Sequence, residues 1–366
     1  MSLLLYNLLG KSPKGFGLEI EDRSVKAFIM EIKNGRRCRF VTCGLRSFKK
    51  GIVQNGIVLD PAALAMEVKE LLKATKPKSI RNKFVVISVP ETKAFIRTIN
   101  IPKMTRAEAE EAVKWETEAN IPVSAEKVYL DWQVVDEANP NSNEVLVTAV
   151  PKEVVEGYSE AMRQAGLEIL AVEIDIIATI RSLTSSSDIA NQPVLIVDLG
   201  EDKTSLAVAK NQVPYFTSSL PLSGRTFTDA LQKGLGVSFE KAEELKVKYG
   251  LGKMEPDNLQ YAIFKPLVEN LISEIEKSIR FYEESINKGQ KIKKIILSGG
   301  GALLRDLSGY LVERLKREVA LGNPLELLEN RKDCPENIQK SLAPYATAIG
   351  LAARACGYND QNKSAC

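Results

Sequence analysis

Two stretches of the 366-residue chain place acids, hydroxyls and glycines at the ends of apolar runs, where a backbone turn can present them to a ligand. The first is Val194–Ser205. A β-branched run ends in Val197-Asp198-Leu199-Gly200, the polar Glu201-Asp202-Lys203-Thr204-Ser205 follows, and a second apolar run begins. The pattern specifies a buried strand, a tight turn and a returning strand. A carboxylate, a glycine and hydroxyls at such a place can hold a phosphate or a phosphate-bound metal. An ordinary hairpin with a polar tip is the simpler reading of this stretch taken alone. The second stretch is Lys294–Ala302, a buried strand that ends in Gly299-Gly300-Gly301. Glycines there let the backbone approach a ligand closely, and their amides can face an anion or a planar ring. A structural turn is the competing reading.

An echo of the first stretch lies near the N-terminus. Gly17-Leu18-Glu19-Ile20-Glu21-Asp22-Arg23-Ser24-Val25-Lys26 again puts an acid at a strand end and a polar turn before a returning strand. A duplicated pair of sheet domains facing each other would bring both turns to one cleft, with the three glycines as its far wall. A nucleotide would then lie between them, its phosphates balanced by a metal.

The elements that must position these residues can be read in order. Phe16–Ile20, Val25–Glu31 and Cys38–Arg46 are strands, the last two joined by an Asn-Gly turn at 33–36. Asp60 and Pro61 cap a helix through Lys73. Phe84–Val89 is a buried strand, and Ala94–Ile101 another. Thr105 and Glu108 form a capping box for a helix through Ala119, on which Trp115 is expected to pack. That helix also carries Glu108, Glu110, Glu111, Glu116 and Glu118, read as a solvated face rather than a metal site. Strands at Val128–Val135 and Glu144–Val150 and a helix at Lys152–Ala165, stopped by Gly166, complete a β-α-β-β-α insertion. Leu167–Val172 rejoins the large sheet and Asp175–Leu183 is a short helix. After Val194–Leu220, helices are expected at Thr228–Lys233, Phe239–Tyr249, Phe264–Asn287 and Leu304–Glu318. Leu342–Ala353 is a helix of small residues.

Composition removes several chemistries. There is no histidine, which excludes histidine triads, His-bearing zinc sites and imidazole acid–base catalysis. The five cysteines form no close metal pair or disulfide framework, so reduced thiols are the reading. Net charge is +3 with both signs mixed throughout, which gives no footprint for nucleic acid. The basic run 288–294 reads as a solvated strand entry. No run reaches transmembrane length, and the apolar residues 2–9 read as a disordered tail or a packed strand ahead of a weak membrane contact.

Taken together, the Glu19–Lys26 turn, the Asp198–Thr204 turn, Ser298–Ala302 and the helix core Gly236-Val237-Ser238-Phe239-Glu240-Lys241-Ala242-Glu243-Glu244-Leu245-Lys246 resemble the actin / sugar kinase / Hsp70 superfamily. Within it the chain is most similar to the type IV pilus assembly protein M (PilM) family, the FtsA-like branch, over roughly 15 to 357. The resemblance implies an α/β fold of duplicated actin-like (ribonuclease H-like) domains with an inserted small α+β subdomain. Residues 1–90 plus 167–190 would form the first domain and 91–166 the insertion. Residues 191–223 plus 291–357 would form the second domain and 224–290 a helical nucleotide-side subdomain, leaving 358–366 as a disordered tail.

The cofactors implied are ATP and Mg2+. Asp198 would hold the metal through water and Gly200 would admit phosphate. Lys203, Thr204 and Ser205 would line the phosphate side of the second turn, and Glu19, Ser24 and Lys26 that of the first. Gly224, Glu243 and Lys246 would serve the ribose and base, with Gly299, Gly300, Gly301 and Leu304 flanking the adenosine. No residue is given a catalytic role. The implied partner is the N-terminal cytoplasmic peptide of the inner-membrane pilus protein N, held near Ile87–Thr98 and Val154–Leu170. Pilus motor ATPases and a second copy of the chain are further partners the family allows. The place implied is the cytoplasmic face of the inner membrane. An active ATPase or phosphotransferase and an FtsA-like polymerising adaptor are the alternatives. The first turn departs from the family pattern, because Asp-x-Gly becomes Glu19-Ile20-Glu21. The added charge at Glu21 opposes phosphate, so binding with slow or absent hydrolysis is expected.

Overall fold

Apolar runs at the period of strands and helices build two units in the computed structural model, which describes residues 14–33, 37–120, 124–136, 141–185, 189, 191–251, 259–287 and 289–357. One unit contains the chain up to Ser182 together with Pro324–Lys340 and the stretch from Thr347. The other contains Leu183–Asn323 and Ser341–Ala346.

The first unit opens with β1 (Phe16–Ile20), β2 (Ser24–Lys33) and β3 (Arg37–Ser47), followed by the small hairpin of β4 (Val53–Gln54) and β5 (Ile57–Val58). Helix α1 (Pro61–Ala74) starts as its sequence demands: Asp60 Oδ1 accepts the Ala63 N–H at 2.9 Å and proline occupies the first turn. Next come β6 (Phe84–Val89), β7 (Phe95–Pro102), α2 (Arg106–Asn120), β8 (Val128–Asp136), β9 (Ser142–Pro151), α3 (Lys152–Ala165), β10 (Glu168–Ile174) and α4 (Asp175–Leu183). The main sheet has the order β10-β6-β1-β2-β3. β1 pairs antiparallel with β2 and parallel with β6.

A separate three-stranded antiparallel sheet, β7-β9-β8, is covered by α2 through Ala109 and Val113 over Ile101, Val145 and Val147. The capping box is present, with the Thr105 N–H donating to Glu108 Oε2 at 2.8 Å. Trp115 does not pack as expected: it is 71% exposed. It lies two residues beyond the buried Val113, which turns it about 200° around the helix, away from the sheet. Helix α3 ends at Gly166 in the left-handed region, as the sequence specifies. It packs against α1 and the β4–β5 hairpin, where the Tyr158 hydroxyl donates to Gly56 O at 3.1 Å.

The second unit carries β11 (Val194–Leu199), β12 (Thr204–Lys210), β13 (Val213–Leu220), α5 (Gly224–Leu235), α6 (Phe239–Tyr249), α7 (Leu259–Phe281), β14 (Lys294–Ser298), α8 (Leu307–Leu315) and β15 (Glu318–Leu321). Its sheet has the order β13-β12-β11-β14-β15, with β11 antiparallel to β12 and parallel to β14. The central strands of both sheets therefore have the same neighbours in the same senses. α5, α7 and α8 close the core of this unit over Leu195, Val197, Leu206 and Ile295.

Three boundaries differ from expectation. α5 begins at Gly224 rather than Thr228, because Ser223 Oγ accepts the Thr226 N–H at 3.2 Å and starts the helix one turn earlier. The helix expected over 304–318 is instead a 3-10 turn at Gly300–Leu303 and the short α8. Lys316 in the left-handed region then reverses the chain so that β15 can join β14 in parallel. The third concerns the C-terminal stretch. Residues 324–340, ending in α9 (Glu336–Lys340), and nearly all of α10 (Ala346–Ala355) belong to the first unit, not wholly to the second. Gly17 and Gly350 are the reason. A Cβ on Gly17 would lie 2.4 Å from Ala352 N, and one on Gly350 would lie 1.8 Å from Ala178 O. Glycine lets the α10 backbone touch both β1 and α4. The N-terminal residues 2–9, the turn centre at 34–36 and the tail 358–366 lie outside the described residues. Among the described residues, no helix is long and apolar enough to cross a membrane.

Candidate functional site

The first hairpin turns at Glu21–Ser24, closed by the Glu21 N–H donating to Ser24 O at 2.9 Å. Register places Lys26 directly opposite Glu19, and both are buried. Lys26 Nζ donates to Glu19 Oε1 at 3.2 Å and to Glu21 Oε2 at 2.7 Å. Ser24 Oγ donates to the same Glu21 oxygen at 2.6 Å. Burial on its own would lower the Lys26 pKa. The two carboxylates outweigh it and hold the ammonium above its ordinary range. Glu19, Ser24 and Lys26 are thus brought together, but around Glu21.

The second hairpin has the same frame. The Gly200 N–H donates to Lys203 O at 2.9 Å, and Ser205 stands opposite Asp198. Asp198 is half-buried, while Thr204 and Ser205 are buried. The Thr204 hydroxyl donates to Leu222 O at 2.6 Å, which fixes the returning strand to the entry of α5. The first two amides of α5 also reach the turn: Gly224 N–H donates to Gly200 O at 2.9 Å and Arg225 N–H to Glu201 O at 3.0 Å. These are groups a helix start leaves without an internal acceptor, so the turn and the helix complete each other. Arg225 pairs with Glu201 at 2.9 Å and Asp202 at 3.2 Å, and its guanidinium lies 4.9 Å from the centre of the Phe239 ring. Sequence reasoning missed Arg225. The available signal was an arginine just after a glycine, downstream of a turn with two adjacent acids.

Helix α6 follows its capping residue Ser238, whose Oγ accepts the Lys241 N–H at 3.2 Å, and ends at Gly250. It places Glu243 and Lys246 one turn apart, facing α5. Lys246 Nζ donates to Gly224 O at 3.0 Å and Thr228 Oγ1 at 2.9 Å, and pairs with Glu243 at 2.8 Å. The Thr228 hydroxyl is also hydrogen-bonded to the Glu243 carboxylate. Here the two candidate residues brace α5 against α6.

Beyond β14 the chain turns at Gly299, in the left-handed region, where a Cβ would lie 2.2 Å from Leu199 O and 2.8 Å from Asp198 Oδ1. Only glycine fits there. A Cβ on Gly301 would lie 2.9 Å from Leu199 Cβ, while one on Gly300 would meet nothing within 4 Å. Leu304 packs on the core of the unit. A continuous chain of contacts therefore runs from Gly299 through Asp198 and Gly200 to Gly224 and Lys246, all inside the second unit. The half-buried Asp198 carboxylate lies at the Gly299 end of this loop. Among the described residues no group of three or more acids or cysteines can hold a metal alone. A magnesium ion at Asp198 would need phosphate oxygens and water as its other ligands.

Known proteins match this architecture. A solved PilM–PilN type IV pilus biogenesis complex contains a chain that superposes with a TM-score of 0.81 at 29% identity, covering 94% of this chain and 98% of that one. MreB5 of Spiroplasma citri bound to AMPPNP shares the fold, with a TM-score of 0.54 at 13% identity over 97% and 100% of the two chains. The cell division protein FtsA of Neisseria meningitidis serogroup B (strain ATCC BAA-335 / MC58) is 23% identical over 229 residues. That match takes in 55% of this chain and only about half, 52%, of FtsA. The sequence profile of the type IV pilus assembly protein PilM matches residues 17–356, nearly the whole chain, and the protein belongs to that family.

Proposed function

We propose that this protein is an ATP-binding adaptor of type IV pilus assembly, built from duplicated actin-like domains with a small insertion at 91–166. The observation that carries the nucleotide half is the contact chain of the second unit. Asp198 and Gly200 stand at a strand end, a glycine-only loop at Gly299 lies against them, and α5 begins at the same turn. In this reading Asp198 holds magnesium through water and Gly200, Lys203 and the Gly299–Gly301 amides face the phosphates and adenosine. Magnesium, when bound, supplies positive charge that offsets the phosphates. Glu243 and Lys246 set the shape of the base side by fixing α5 to α6.

The partner half rests on family membership and on the likeness to the PilM–PilN complex. The partner is a PilN-like membrane protein whose N-terminal cytoplasmic peptide docks on the first unit, near residues 87–98 and 154–170, and so holds this chain at the inner face of the membrane. Calorimetric titration of the full chain with Mg-ATP and with that peptide tests both halves. Saturable binding of each is expected. Folded protein that binds neither overturns the proposal.

A further inference from the structure

Two cysteines from opposite ends of the chain meet inside the first unit. Cys38 lies on β3 and Cys356 stands one residue past the end of α10, and their sulfurs are 4.0 Å apart across 318 positions of sequence. Both are buried. The Cys356 S–H donates to Ala353 O at 3.2 Å, so the proton between the two sulfurs is the one on Cys38. That hydrogen bond and burial hold the Cys38 thiol above its ordinary range, and at neutral pH it keeps its proton. The Cys38 carbonyl accepts the Glu329 N–H at 2.9 Å, which fixes its strand from the other edge. Cys356 instead hangs on the last turn of a helix, the part of a helix that opens at least cost. A disulfide needs about 2 Å between sulfurs, so the pair has about 2 Å to close.

We propose that Cys38 and Cys356 form an oxidative modification site at which a peroxide joins β3 to α10 through a disulfide. Fraying of the helix end brings the Cys356 sulfur to solvent, where its thiolate attacks one oxygen of hydrogen peroxide. The O–O bond breaks, hydroxide leaves and takes up the proton the thiol lost, and Cys356 becomes a sulfenic acid. When the turn closes again, the Cys38 sulfur attacks the Cys356 sulfur. The S–S bond forms, the S–O bond breaks, and the hydroxyl leaves as water with the Cys38 proton. Two thiols have then lost two electrons and two protons, and one peroxide has become two waters. The member at the helix end meets the oxidant, and the buried member resolves it. The product closes a covalent ring that contains the whole second unit, because that unit lies between the two cysteines in sequence. It keeps α10 on the sheet that α10 completes. Neither cysteine belongs to the nucleotide site proposed above.

The test treats the folded full chain with excess hydrogen peroxide, blocks the remaining thiols with iodoacetamide after denaturation, and maps the peptides by mass. Wild type should lose about 2 Da at this pair, in one linked product that joins the Cys38 and Cys356 peptides and separates on reduction with dithiothreitol. Its thermal unfolding midpoint should rise by about 5 °C or more on oxidation and fall back on reduction, since a ring this long restricts the unfolded chain strongly. Cys366→Ser, which leaves the pair intact, should show the same link and the same shift. Cys356→Ala should show neither. Cys38 and Cys356 that both still take iodoacetamide after peroxide overturn the proposal. So does Cys356 linked to another cysteine, or carried on to sulfinic acid, while Cys38 stays reduced. The wild-type peptide map decides the matter if Cys356→Ala does not fold.

Discussion

The two hairpins share a backbone and differ in what they do with charge. Each closes its turn with the same N–H to carbonyl bond at 2.9 Å, and each puts an acid on the inner strand just before the turn. In the first, the lysine stands opposite the acid and the serine closes the turn. In the second the two exchange places, with Ser205 opposite Asp198 and Lys203 closing the turn. That exchange decides the character of each. Lys26 is buried between two carboxylates and cross-braces its own hairpin. The second hairpin is braced from outside, by Arg225 and the start of α5, and carries no side chain at Gly200. One turn is complete in itself and the other is completed by a neighbour, and it is to the second that the proposed nucleotide is assigned.

The comparison breaks most visibly at Lys26. Lys26→Met leaves Glu19 buried without its cation and should reduce unfolding free energy by about 3–5 kcal/mol, read by urea denaturation. If the loss is under about 1 kcal/mol, the first hairpin is not held by its charges. Next in size, Asp198→Asn should weaken Mg-ATP binding about 10- to 100-fold, the range for losing one charged hydrogen-bonding group. Glu19→Gln should leave that affinity within about threefold. Equal effects of the two substitutions would erase the asymmetry. A smaller change is expected for Arg225→Gln, whose partners are partly exposed, at about 0.5–1 kcal/mol of stability by thermal unfolding. The smallest effect sharpens the picture by its absence. The folded-state pKa of Lys26 lies above its ordinary value of about 10.4, so the stabilisation is complete below that value. It fades only as pH rises through the raised one. The difference between wild type and Lys26→Met should therefore not shrink from roughly pH 6 to pH 9. A difference that shrinks across that range would mean the ammonium loses its proton early.

Patterns carried by the chain itself were legible in the sequence. Apolar runs placed β1, β6, β11 and β14, and local caps placed α1, α2, α3 and α6, because Asp60, Thr105, Gly166 and Ser238 act on their own neighbours. Features that depend on a distant partner were not. β15 is four residues long and is a strand only because β14 lies beside it. Trp115 reads as core by composition, yet its place on α2 turns it outward. The candidate site divides the same way. Asp198, Gly200 and Gly299 stand out by type and spacing. That Lys246 braces α5, that Arg225 caps the turn, and that Glu21 captures Lys26 and Ser24 are facts of side-chain direction, which spacing does not contain.

The contact of α10 with Gly17 and Ala178 has a consequence for synthesis. Strand β1 is finished by α10, with more than three hundred residues between Gly17 and Ala352. Domains tend to fold as units while the chain emerges, N-terminal part first. Here the second unit can be whole before the first is, and the first must wait for α10 before its central sheet is fully covered. A chain truncated after Ala346 should accordingly protect the second unit from protease while leaving the sheet of the first open to it.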